Sequence, residues 1–263
     1  MNFPARCFSL AVLPCLLALG LPGQAAELNV AAAADLKFAL DELVTEFHAG
    51  QPGTQVDVTY GSSGNFYAQL QNQAPFDLYF SADIEYPRRL AAAGLALDGS
   101  VFAYAVGRIV VWTPHASPLD VERLGIQSLF SPVVKKIAVA NPRHAPYGAA
   151  AVAAMKSLNV YERAEPKLVY GENIAQTMQF VQSGAADIGI VALSLALAPL
   201  LHGTGRYWEI PLDAYPEMQQ GGIILSGTKE AQAARAFRDF VLHEHGREVL
   251  KRYGFFLPEM AEQ

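Results

Sequence analysis

Short apolar or β-branched runs recur along the chain at residues 28–34, 55–60, 77–82, 108–113, 136–141, 167–171, 188–193, 207–212 and 221–226. Between them lie segments such as 36–47, 149–158 and 174–182, whose apolar residues fall at helical spacing. This alternation predicts α/β layers built on mainly parallel sheets flanked by helices. There is no internal repeat, no low-complexity tract and no Pro- or Ser-rich tether. Two lobes would therefore be joined by strands, crossing near Val111 and Gly221. The chain leaves lobe I (26–108), builds lobe II (109–219) and returns to lobe I (220–263), with a cleft between them.

The first residues break the pattern. Arg6 precedes an apolar run from Phe8 to Leu21, and the small residues Gly23 and Ala25 are spaced for cleavage before Ala26. Residues 1–25 read as a secretory signal peptide, which places the mature protein in the periplasm. The rival reading, a membrane anchor, needs about 20 apolar residues, and Pro14 interrupts a shorter run. Cys15 could mark a lipoprotein, but Pro14 stands where a small residue would be expected.

Composition narrows the function. Of 263 residues, 52% are hydrophobic and 17% charged, which suits sizeable cores rather than disorder. The two cysteines, Cys7 and Cys15, both lie in the leader, so disulfides, thiolate catalysis and cysteine-ligated metals are excluded from the mature chain. Without Arg6, 18 Lys+Arg face 25 Asp+Glu, a net charge of −7 with no basic block. Nucleic acid and acidic membranes are poor partners for such a chain. A small anion is not excluded, because local N–H and O–H donors outweigh net charge screened over a Debye length of about 8 Å.

Four turns share one design, in which a strand ends in small residues and a helix begins. "AAAADLKFALDEL" places Asp35 as a helix cap beside Ala34. "YGSSGNF" offers the hydroxyls of Ser62 and Ser63, with Gly64 permitting close approach; it lacks the lysine of a Walker loop and the spacing of a dinucleotide fingerprint. "ANPRHAPYG" stiffens a loop before Tyr147, and His144 within it reads as an exposed loop histidine without a hydrolase motif. "GENIAQ" opens a helix in which Asn173 caps and Ile174 lies in the first turn. Each turn alone reads equally as ordinary capping or packing. Together they make a cleft rich in backbone donors, suited to an anion without Arg or Lys. No metal cluster, activated nucleophile or acid/base carboxylate pair emerges elsewhere, and His243 and His245, two apart, point to different helix faces.

These stretches, with "YGSSGNFYAQLQNQAPFDLYFSAD", "IAVANPRHAPYGAAA", "GENIAQTMQFVQSGAADIGIVALS" and the terminal "LKRYGFFLP", resemble the periplasmic molybdate-binding proteins of ABC importers over essentially the whole mature chain. The resemblance implies a two-lobed, type II periplasmic binding fold. A member would close on molybdate or tungstate through neutral donors, perform no reaction, need no cofactor, act as a monomer and deliver its cargo to a membrane permease. Carried over residue by residue, the ligand contacts are Asp35 and Ser63 from lobe I, with Ala34 and Ser62 nearby, and Tyr147 and Ile174 from lobe II. A receptor for another oxyanion or small organic anion is the alternative; a secreted hydrolase would need a nucleophile and base that no motif supplies.

Two departures from the family stand out. Some members supply a tyrosine hydroxyl where this chain has Ala192, and the phenol of Tyr147 would compensate. Relatives carry Ser or Asn where this chain has Asp35, whose ionised carboxylate would repel a dianion at contact by on the order of a few kcal/mol at an effective dielectric near 20. Asp35 turns away to cap its helix, which is the preferred reading, or is held protonated and donates, or coordinates the metal directly.

Overall fold

The computed structural model describes residues 26–201 and 203–258; the segment 1–25 expected to be a leader, with Cys7 and Cys15, lies outside them. From the N-terminus run β1 (Ala26–Ala33), α1 (Lys37–Gly50), β2 (Thr54–Gly61), α2 (Ser63–Gln71), β3 (Leu78–Ser81), α3 (Glu85–Ala92) and β4 (Phe102–Gly107). Then follow β5 (Ile109–Pro114), α4 (Val121–Leu124), β6 (Ile137–Ala140), α5 (Pro146–Ser157), α6 (Tyr161–Ala164), β7 (Leu168–Gly171), α7 (Ile174–Gln182), β8 (Ile188–Ala192), α8 (Leu193–Ala196) and β9 (Gly205–Glu209). The chain finishes with β10 (Met218–Ile224), α9 (Ala231–Leu242) and α10 (Glu244–Arg252).

The strands form two five-stranded sheets, ordered β2-β1-β3-β10-β4 and β7-β6-β8-β5-β9. Strands β4 and β5 belong to different sheets with only Arg108 between them, and the chain returns to the first sheet between β9 and β10. Both sheets are mainly parallel but mixed, with four strands running one way and one, β10 or β5, running against them. In the first, β1 pairs in parallel with β2 and β3, whereas β10 runs antiparallel to β3 and β4. In the second, β6 pairs in parallel with β7 and β8, while β5 runs antiparallel to β8 and β9. A right-handed strand–helix–strand unit gives the parallel pairs; the first strand after each crossing, β5 and β10, runs the other way. Strand β4, absent from the sequence reading, is an edge strand, FAYAVG, in which large and small residues alternate but no polar position marks a solvent face.

Burial follows the two-residue period of a strand. In β1, Val30 and Ala32 enter the large core with Leu40, Leu43 and Phe47 of α1, while Ala31 points to the opposite face. There it packs with Phe66 and Leu70 of α2, Tyr79 of β3 and Leu90 of α3. Helices thus cover both faces of the first sheet, which is why its central strands are apolar on both sides. Aromatic edges lock the large core, with Phe47 on Phe237 at 5.1 Å and Phe80 on Tyr104 at 5.4 Å.

The lobes are in contact, and backbone atoms make part of the seam. The Gly64 N–H donates to the His144 carbonyl at 2.8 Å. A Cβ built on Gly64 would lie 2.6 Å from that oxygen and 2.9 Å from the His144 Cα. Gly64 is therefore needed so that the other lobe, rather than an anion, can come close. Substitution Gly64→Ala is expected to hold the lobes apart without unfolding either: small-angle scattering should give a larger radius of gyration with an unchanged circular dichroism spectrum.

Candidate functional site

The four turns converge on one chamber between the sheets. Ala34 and Asp35 occupy a 3-10 turn linking β1 to α1, Ser62 and Ser63 open α2, Tyr147 is the second residue of α5 after Pro146, and Ile174 is the first residue of α7. All six residues line the chamber, together with Ala33, Gly61, Ala82, Ala145 and Pro146. Its free volume is about 10 Å³, on the order of the room one water-sized sphere needs. That leaves no room for an extended metabolite, and a five-atom tetrahedral oxyanion, larger than a water, requires the walls to move outward. A larger hollow of about 470 Å³ opens beside Arg108 and Phe256, but none of the four turns reaches it, so size does not mark the site.

Donors on the chamber wall come from helix starts. The first N–H groups of a helix have no acceptor within it, and those of Ser63, Tyr147 and Ile174 meet no carbonyl among the described residues. Capping and site formation coexist. Ser62 Oγ accepts from the Asn65 N–H at 3.4 Å and Asn173 Oδ1 from the Gln176 N–H at 2.9 Å, while the first amide of each helix, on Ser63 and Ile174, stays free. Ser63 Oγ accepts the Ala82 N–H at 2.9 Å; its own hydroxyl proton has no acceptor among the described residues. No Lys or Arg lines the chamber. Positive potential there comes from N–H dipoles.

Asp35 departs from the sequence reading. Neither the 3-10 turn nor α1 has a side-chain cap, so Asp35 does not turn away to cap. Its side chain, 2% exposed, is held across the interlobe seam instead. The Tyr147 hydroxyl donates to Asp35 Oδ2 at 2.9 Å, and Gln220 Nε2 donates to the same oxygen at 2.8 Å and to the Tyr147 hydroxyl at 2.9 Å. Asp35 Oδ1 and Gln220 Oε1 are buried without a partner among the described residues. A phenol carries one proton, and that of Tyr147 is committed to Asp35, so it is not free to donate to an anion as the sequence implied. Gly107 leaves room for this cluster, since a Cβ there would lie 2.5 Å from the Tyr147 hydroxyl.

Burial pushes the Asp35 carboxyl from 3.8 up to about 6, against the bonds from Gln220 and Tyr147, which favour its ionised form. The Tyr147 phenol is driven well above its ordinary value, first by burial and then by the Asp35 charge, and stays protonated. From the loop before α5, His144 Nδ1 lies 2.9 Å from Ser62 Oγ, and its Nε2 lies 3.6 Å from Glu172 Oε2. His144 is thus a part-buried seam residue, not an exposed loop histidine, and its partner serine sits 82 positions away in the chain. Sequence reasoning also missed Gln220 and Ser194, whose Oγ donates to the Asp35 carbonyl at 2.9 Å. Gln220 is wholly buried in β10 next to the half-buried Gln219, and a glutamine pair interrupting an apolar strand was the available signal.

A carboxyl raised on folding stabilises the fold below its unfolded value, and that contribution is lost as pH rises through the folded value. Here the window runs from about 4 to about 6. With about 1.4 kcal/mol per unit, the unliganded protein should lose on the order of 3 kcal/mol relative to Asp35→Asn over that window. Urea unfolding of both proteins from pH 4 to pH 8 measures it.

Comparison with known proteins agrees with this geometry. A sequence model of bacterial extracellular solute-binding proteins matches residues 28–256. The molybdate-binding protein ModA of Azotobacter vinelandii is 39% identical over 253 residues, 95% of this chain and 99% of that protein. ModA of Rhodobacter capsulatus is 36% identical over 91% of this chain and 92% of its own length. The solved periplasmic molybdate-binding protein of Azotobacter vinelandii superposes with a TM-score of 0.82 at 32% identity, covering 88% of this chain and all of that one. By fold, by coverage and by identity, this chain belongs to the bacterial extracellular solute-binding proteins, in the group of the molybdate-binding proteins.

Proposed function

We propose that the protein is a periplasmic receptor that captures molybdate, and tungstate as its near-isostere, and delivers it to the membrane permease of an ABC importer. The observation that carries this reading is a small chamber lined by no lysine or arginine, whose lining residues carry three free helix-start amides and the Ser63 hydroxyl, in a chain 39% identical to a molybdate-binding protein. Neutral donors suit a ligand that must later be released, because dipoles hold a dianion without a permanent ion pair. Ser63 and Ile174 are the principal contacts in this reading, Ala34 and Ser62 the secondary ones, and Asp35 and Tyr147 act as a pair. The lobes, 26–108 with 220–263 and 109–219, close over the ion as a monomer; the leader 1–25 directs export and no cofactor takes part.

Selection against sulfate, an ion of the same charge and shape, rests on chamber size. A receptor for a different oxyanion or small organic anion fits less well, since the close relatives are molybdate-binding proteins and the chamber is too small for an organic chain. The Ser62–His144 contact raises the hydrolase reading again. Two features speak against it: the Ser62 hydroxyl caps α2, and the His144–Glu172 separation of 3.6 Å is too long to orient the ring. Ester turnover lost on Ser62→Ala would restore it.

Thermal denaturation against a panel of anions tests the receptor reading. Molybdate or tungstate at about 100 times Kd should raise Tm by on the order of 5–10 °C, with sulfate and phosphate far less effective. Ser63→Ala should weaken molybdate binding by about 10- to 100-fold, the loss of one hydrogen bond to a charged group. A Tm unmoved by every anion contradicts the reading.

A further inference from the structure

Asp35 lines the chamber and keeps one buried carboxyl oxygen, Oδ1, without a hydrogen-bond partner among the described residues, while the Tyr147 and Gln220 donors both go to Oδ2. A second acceptor-only group, the oxyanion itself, cannot satisfy it. We propose that the site captures its tetrahedral dianion together with one proton, held in the hydrogen bond between Asp35 Oδ1 and a ligand oxygen, so that Asp35 makes binding proton-linked. The proton comes from solvent and joins the site as the ion enters. This rests on the receptor reading above and deepens it.

The groups that face Asp35 leave it as the one carboxylate of the cluster. Tyr147 approaches from α5, Tyr104 from β4 and Gln220 from β10, and Ser194 from α8 bonds its carbonyl. Across the chamber stand Ser62 and Ser63 of α2, with His144 behind Ser62. Tyr104 and Tyr147 are both held neutral by burial, and no lysine or arginine lines the chamber to balance a carboxylate beside a dianion. The carboxyl is already raised to about 6 before any anion arrives. A dianion at contact raises it further, so the proton enters at neutral pH with little opposition. His144, in contact with Ser62, is the other titratable side chain beside the chamber.

Isothermal calorimetry of molybdate binding in pairs of buffers with different ionisation enthalpies reads the proton count directly. At pH 7.5–8, where molybdate is a dianion, the native protein is expected to take up close to one proton per ion bound. Its affinity should fall about tenfold per pH unit from pH 7 to pH 9. Asp35→Asn and Asp35→Ser should bind with no proton uptake and a flat pH profile, whereas His144→Gln should keep the uptake. Binding of molybdate to the native protein without proton uptake would overturn the proposal, as would uptake that survives in both Asp35 variants or vanishes in His144→Gln. Absence of any molybdate binding would instead overturn the receptor reading, and this proposal with it.

Discussion

A helix must begin with amides that have no acceptor inside it, and the arrangement of this protein follows from where it puts them. Three such amides, on Ser63, Tyr147 and Ile174, belong to residues that line one chamber. They get there because β2, β6 and β7 each end at the same seam and hand the chain to a helix or its preceding loop. The antiparallel strands beside the crossings, β5 and β10, tie the sheets so that both sets of strand ends meet. Unpaired donors of this kind are costly in a dry interior. In the proposed receptor, an oxyanion would satisfy them together.

Asp35 works against that arrangement. Its carboxylate adds an acceptor to a site made of donors, and the structure answers by spending the Tyr147 proton and a Gln220 N–H on one of its oxygens. The same bonds stitch the lobes, joining the turn after β1 to α5 across the seam. They stand beside the Gly64–His144 backbone bond and the Ser62–His144 contact. Lobe closure and the charge state of one carboxyl are therefore coupled physically: ionised, Asp35 accepts both bonds from the other groups; neutral, it has a proton of its own to give.

Much of this was legible in the chain, for identifiable reasons. Helix-start turns announce themselves through Gly, Ser and Asn at strand ends, so Ser62, Ser63, Asn173 and Ile174 stood out, and the apolar runs marked nine of the ten strands. What stayed hidden depends on atoms distant in sequence. Asp35 looks like a cap because capping is a local rule, whereas its actual partners are 112 and 185 positions away. His144 looked exposed because nothing local covers it; Ser62 and Gly64, from the other lobe, do. The mixed sense of the sheets was hidden likewise, since strand direction at a crossing is set by topology and not by apolar pattern.

The central claim is that this chamber holds an oxyanion of a heavy metal between the lobes. X-ray diffraction from crystals grown with molybdate, with anomalous data collected at the molybdenum edge, tests it most directly. The account predicts a single strong anomalous peak inside the chamber, within hydrogen-bonding reach, through its oxygens, of Ser63 and of the Ile174 amide. An empty chamber in crystals that bind molybdate elsewhere, or not at all, would contradict it.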